Sequence, residues 1–240
     1  SHLQGYQVDG LLQKLIVSLY ADNTTVYLSE GDLYGDLLKL LEDWCLALGA
    51  KFNVLKTEII PLGTEEYRRG LIDSRKLNDA DTAIPTSIRI AEDGAPTRIL
   101  GSWPGNALGS VNAWSVVVEK VEKDLSKWNR THPTLNGRAL IAQIVVGGYT
   151  QFLTAAEGML LNVEKKLDRL ITEFVWQDSK PHPINIDTMQ RVRENGGLNL
   201  LQVRERNDAQ YMVWFGAYLS EGPERPRWAF VADGIFRATI

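Results

Sequence analysis

The chain has 240 residues, of which 44% are hydrophobic and 23% charged, a profile that fits one large or two small globular domains and excludes a wholly disordered protein. With 30 acidic against 26 basic residues the net charge is −4, which excludes attraction of nucleic acid by bulk charge and leaves only local basic patches for it. The single cysteine, Cys45, excludes an intramolecular disulfide, and with three histidines it leaves no Cys/His zinc knuckle of usual spacing.

Leu15–Tyr20 and Thr24–Leu28 are rich in β-branched and aromatic residues and read as two strands. Ala21, Asp22 and Asn23 between them make a hairpin, since Asp and Asn tolerate turn geometry. Its tip carries a carboxylate. Ser29 with Asp32 three residues on resembles a capping box. Leu33, Leu37, Leu40, Leu41, Trp44 and Leu48 then recur at helical spacing, and Gly49 is placed to end that helix. Phe52–Ile60 is strand-like, interrupted at Lys56-Thr57-Glu58. Residues 61–86 are polar and without clear period. They read as an insertion or long loop with room for a short helix. Ile88-Arg89-Ile90 and Arg98-Ile99-Leu100 flank Ala91-Glu92-Asp93-Gly94 and suggest a second hairpin.

From about residue 112 the period becomes helical. Trp114, Val117, Val121, Leu125 and Trp128 share one face; Leu140, Ile141, Ile144 and Val145 form a second stripe; Val163, Leu167, Leu170 and Phe174 form a third. Val203, Met212, Phe215 and Leu219 mark a last long helix. Gly196-Gly197 signals a turn, and Pro181, Pro183, Pro223 and Pro226 punctuate loops. The five tryptophans Trp114, Trp128, Trp176, Trp214 and Trp228 read as core anchors. No unbroken apolar run approaches the ~18 residues of a membrane span, Ala139–Val146 being interrupted by Gln143. The expectation is an intracellular protein, nuclear or cytoplasmic, with no membrane contact.

One tetrapeptide carries chemistry: Tyr20-Ala21-Asp22-Asn23. Alone, an Asp at a hairpin is usually only a turn residue. Here Leu19–Val26 is followed in order by Trp44–Asn53, then Lys56-Thr57-Glu58, then Arg98-Ile99-Leu100-Gly101. Trp128 with Leu135-Asn136-Gly137-Arg138, Phe174-Val175-Trp176 and Gly196–Leu200 come after. In this order the chain resembles the reverse transcriptases of non-LTR (LINE-type) retrotransposons, most closely the fungal Tad-like group. Their strand–turn–strand bears an aromatic-Ala-Asp-Asp motif, which this sequence matches with one change.

The resemblance implies an α+β fold. It divides into the C-terminal part of a polymerase palm over 1–105 (catalytic hairpin, helix, primer-grip-like hairpin), a helical thumb-like region over 106–180 and a C-terminal helical region over 181–240. It implies nucleotidyl transfer from a deoxynucleotide onto a DNA primer along an RNA template, with Mg²⁺. Two-metal chemistry needs clustered carboxylates because Mg²⁺ is hard and oxygen-seeking. Asp22 takes the place of the family's metal ligand and Asn23 that of the second Asp, a catalytic position here degenerate because an amide offers one neutral oxygen and no charge. Lys56 takes the place of a lysine near the incoming triphosphate, and Arg98 and Gly101 lie in the primer grip.

Lys120, Lys123, Lys127, Arg130 and Arg138, set among Glu119, Glu122 and Asp124, would line the template–primer track through phosphate contacts; the same spacing equally fits a solvated mixed-charge helix face. The family's other metal-binding Asp, its nucleotide-pocket glycines and its fingers precede the hairpin. The chain opens on Ser1 about 20 residues before Asp22, so the expectation is a fragment or remnant, inactive alone. Two further expectations stand beside it: a silent module binding RNA or an RNA–DNA hybrid, and a host-retained structural or interaction domain. The edge of the Leu15–Tyr20 strand is expected to invite self-association.

Overall fold

The computed structural model describes residues 3–11, 14–107, 111–177 and 182–239; Pro181 lies outside them. The fold is α+β, mostly helical, with two small two-stranded sheets. It divides into two compact units, Ser1–Leu108 with Ser220–Ile240, and Gly109–Leu219.

In the first unit β1 (Val17–Tyr20) and β2 (Asn23–Val26) form an antiparallel ribbon with Tyr20 opposite Asn23, so the loop is Ala21-Asp22 alone. The left-handed residue is Ala21, at φ 51°, and Asn23 belongs to the strand. Helix α1 (Tyr34–Leu48) follows and ends at Gly49, whose φ of 64° and N–H to the Cys45 carbonyl form a left-handed cap.

The expected capping box is not formed. The N-cap residue is Leu33, and the N–H of Tyr34 donates instead to the Asp81 carboxylate at 3.0 Å. Asp32 accepts from Gln4 N at 2.6 Å, Gly5 N at 3.0 Å and Ser29 N at 2.8 Å, so it ties the N-terminal segment to the turn before α1. Tyr34 and Leu37 are buried, whereas Leu40, Trp44 and Leu48 of the expected stripe are exposed.

The polar stretch after residue 60 holds a helix, α2 (Glu65–Ser74), capped by the Thr64 side chain. It is the crossover of a β-α-β unit: β3 (Glu58–Ile59) and β4 (Arg89–Ile90) pair in parallel. Parallel strands need such a connection. The expected 88–100 hairpin is therefore replaced. Residues 98–103 fold back on themselves, Ile99 and Ser102 exchanging N–H···O bonds of 2.9 Å around Leu100-Gly101, both at positive φ. Ile84, Ile88 and Ile90 join Tyr34, Leu37, Leu71 and Leu77 in this unit's core. The unit also contains α9 (Arg227–Thr239), which the sequence reading did not separate as an element.

The second unit is helical: α3 (Val111–Asn129), α4 (Leu135–Ala142), a π-helical turn (Gln143–Gly147), α5 (Gly148–Glu157), α6 (Leu161–Trp176), α7 (Ile186–Gln190) and α8 (Val203–Tyr218). Trp114, Val118, Val121 and Leu125 of α3 pack in one core with Val163, Leu167, Ile171 and Phe174 of α6. The stripe on α4 is not the expected one. Leu140 and Ile144 face solvent at 50% and 71% exposure, and Ala139, Ala142, Val145 and Val146 face inward. The cause is Arg138, fully buried, which donates to Pro133 O at 3.1 Å, Asn129 Oδ1 at 2.8 Å and Phe174 O at 2.7 Å. Anchoring that guanidinium fixes the roll of the helix.

Leu135–Glu157 forms one helical run that is long and apolar enough to cross a membrane by length and composition, although no strictly apolar stretch betrays it; 39% of its most apolar window is buried in this unit. Thr150 and Thr154 are buried on it because each hydroxyl donates to the carbonyl one turn back. On α8 only Val203 and Asn207 are buried, while Met212 and Phe215, with Leu219 just beyond the helix, are exposed. Of the tryptophans, Trp114 and Trp176 are buried, Trp228 is partly buried, and Trp128 and Trp214 are exposed.

Candidate functional site

A two-residue hairpin holds its tip clear of the ribbon, because both loop residues lie outside the ladder. Asp22 therefore stands exposed at the end of β1–β2, next to an exposed Tyr20. Asn23 Nδ2 donates to Asp22 Oδ1 at 3.3 Å. That contact uses the amide's donor, so Asn23 partly occupies the carboxylate oxygen that a cation would take. The donor set at the tip is one carboxylate and one amide oxygen. Mg²⁺ commonly takes one or two carboxylates and completes its shell with water and phosphate, so Asp22 fits as a first ligand and Asn23 adds no charge.

Lys56 closes the short 3₁₀ turn Val54–Lys56 and is exposed, with its N–H on the Asn53 carbonyl at 3.0 Å. Glu58 pairs with Arg89 across the β3–β4 ladder at 3.0 Å, leaving the Lys56 ammonium to solvent. Arg98 is exposed, its guanidinium 5.8 Å from the centre of the Trp103 ring. Gly101, at φ 93°, forms the 98–103 tip with Leu100. Asp22, Asn23, Lys56, Arg98 and Gly101 all belong to the first unit. No hydrogen bond or ion pair joins Asp22 to Lys56 or Arg98 among the described residues.

The basic residues belong to the second unit and differ from one another. Lys120 lies 4.0 Å from the centre of the Tyr149 ring. Lys127 pairs with Asp124 at 2.7 Å, and Tyr149 donates to the other Asp124 oxygen at 2.8 Å. The hydrogen bond from Lys127, then that from Tyr149, holds the Asp124 carboxyl below the usual carboxylate range. Lys120 and Lys127 are thus both engaged in one local network. Lys123 and Arg130 are exposed and form no ion pair among the described residues. Arg138 is the clear exception: a guanidinium buried among carbonyls inside the helical core has no access to a phosphate.

Sequence reasoning missed a contribution from α6. Lys166 pairs with Glu122 of α3 at 2.8 Å, and Lys165 and Arg169 are exposed on the same helix. The available signal was the four-residue spacing of Lys165 and Arg169 opposite the Val163/Leu167 stripe. Among the described residues no group of three Asp, Glu, His or Cys side chains is gathered closely enough to hold a metal. No protein-family model matches the chain, and no curated protein matches it.

Proposed function

We propose that the chain is the palm-end and thumb portion of an RNA-directed DNA polymerase of the non-LTR retrotransposon type, in a catalytically silent form that still holds an RNA template and a DNA primer. The observation that carries this reading is Asp22, exposed at the tip of a two-residue hairpin directly after Tyr20-Ala21. A carboxylate so placed meets a primer terminus from outside the sheet without displacing any side chain.

On this reading Asp22 is the ligand for Mg²⁺ and Lys56 faces the deoxynucleotide phosphates. Arg98 and the Gly101 turn bear on the primer, and Lys123 and Arg130 with α6 Lys165 and Arg169 meet the polynucleotide backbone. Bound Mg²⁺ supplies transition-state charge stabilisation of several kcal/mol, and each ~1.4 kcal/mol is tenfold in rate. Asn23 supports the silent form. It is neutral, and its amide N–H points at the Asp22 oxygen and would have to turn away for a cation to bind there.

The test is primer extension on an RNA template with Mg²⁺ and with Mn²⁺, alongside salt-titrated binding to an RNA–DNA duplex. The chain, its Asn23→Asp form and Asp22→Ala are expected to give no extension. Asn23→Asp restores one charge, while the family's other metal-binding Asp is not among the matched residues. Duplex binding should weaken with salt and with Lys123→Glu/Arg130→Glu. Extension by the unmodified chain that vanishes in Asp22→Ala overturns the silent form. Absence of salt-dependent binding overturns the polymerase reading and leaves a structural or interaction domain.

A further inference from the structure

We propose that two copies of this chain pair through the outer edge of β1, antiparallel about a two-fold axis at Ser18. The argument starts from the direction of main-chain bonds along one strand. In an antiparallel ladder, successive residues turn their N–H and C=O alternately toward one neighbour and the other. Tyr27 N donates to Ile16 O at 2.8 Å, so Ile16 turns toward β2, and two residues on so does Ser18. Leu15 turns the other way and exchanges two 2.8 Å bonds with Tyr6. Val17 and Leu19 therefore also turn outward. Among the described residues β1 is laddered with β2 alone, and no bond is recorded on that outer side beyond Leu15.

All four residues of β1 are exposed, Val17 at 47%, Leu19 at 62% and Tyr20 at 67%. Leu15–Tyr20 carries no charge and no proline, the devices that usually keep an edge strand from pairing. The occupant follows from complementarity with itself. The outward-facing residues still open are Val17 and Leu19, since Tyr6 already occupies Leu15. The register that pairs both with both places Val17 opposite the second copy's Leu19, Leu19 opposite its Val17, and Ser18 opposite Ser18. Both outer pairs then exchange N–H···O bonds, and on one face each valine lies against a leucine, an aliphatic cross-strand pair. The contact is isologous and closes after two copies. It turns two ribbons into one four-stranded sheet, past the size at which an isolated ribbon is only marginally stable.

The test is sedimentation velocity of the full chain over a wide concentration range, with amide hydrogen exchange at both ends of that range. The expected result is a reversible monomer–dimer equilibrium. The Val17 and Leu19 amides should exchange freely in the dilute sample and gain protection as the dimer fills, while the Ser18 amide, held by β2, is protected at both concentrations. Leu19→Lys, at a site already open to water, should remove the dimer and leave Ser18 protection in place, which reports that the hairpin still forms. A chain that stays monomeric throughout overturns the proposal and leaves the edge to a different strand. A dimer that survives Leu19→Lys, or one in which Val17 and Leu19 remain unprotected, also overturns it.

Discussion

Asp32 is 3% exposed and holds two separate parts of the chain together through main-chain donors. Its Oδ1 accepts from Gln4 N, and its Oδ2 accepts from Gly5 N, Ser29 N and, at 3.2 Å, Ser29 Oγ. Replacing it with Ala leaves three N–H groups without their acceptor. Each orphaned donor costs about 1–3 kcal/mol when water cannot reach it. Only the Gly5 bond is fully buried, and the other two are partly open to water. The sum therefore falls well short of three full penalties, at roughly 2–4 kcal/mol. Asp32→Asn can keep its oxygen on the Gly5 and Ser29 side and loses mainly the Gln4 bond, roughly 1–2 kcal/mol.

The same geometry sets a pH dependence. Burial pushes the Asp32 carboxyl up, but the amides of Gln4, Ser29 and Gly5 and the Ser29 hydroxyl together outweigh it and leave it below its usual value. A carboxyl with a depressed folded-state pKa stabilises the fold at pH above its unfolded value of about 3.9. That stability is lost as pH falls through the lower folded value. The assay is urea denaturation from pH 7 to 2.5, with hydrogen exchange of amides in the first unit reporting that unit separately. Asp32→Ala should lower stability at neutral pH and shrink the acid-induced loss. A stability change within about 0.5 kcal/mol, the scale of ordinary surface substitutions, with an unchanged acid transition would refute the reasoning.

Three further outcomes follow from the packing. Leu167→Ala, at a fully buried site, should cost roughly 2–5 kcal/mol, whereas Ile144→Ala, at 71% exposure, should stay within about 0.5 kcal/mol in the same denaturation experiment. Arg138→Met should destabilise the helical unit by roughly 3–5 kcal/mol, because three acceptors lose a buried charged donor; its duplex binding, measured on the protein that remains folded, should be unchanged. Ala21→Gly should raise hairpin stability by roughly 1 kcal/mol, read as slower exchange of the Ser18 amide, since an L-residue at φ 51° carries that order of strain.

The hairpin, the first long helix with its Gly49 stop and the three helical stripes were largely legible because each rests on local rules. β-branched runs favour strands, a glycine tolerates positive φ, and apolar residues at helical spacing share a face. Asp22 at the hairpin tip was legible for the same reason. The β3–β4 pairing was not. Two-residue strands carry almost no periodic signal, and the parallel partner lies thirty residues away behind α2. Nor was the role of Asp32, which looked like a local cap and proved to be an acceptor for the N-terminal segment.

For Arg138 the sequence determined only that a cation follows a turn in a helix N-terminus. Tertiary structure decided that this cation lies inside, because carbonyls of Pro133 and Phe174 and the Asn129 amide oxygen converge there from three elements. That one choice then rolled α4 and sent Leu140 and Ile144 to the surface. Periodicity defines which residues share a face, but the direction of that face is set by partners far along the chain. The same holds for the basic residues of α3. Their sequence spacing is uniform, yet Tyr149 and Asp124 engage Lys120 and Lys127 while Lys123 and Arg130 stay open to solvent. A charge becomes available to a ligand only when no neighbour in space has already satisfied it.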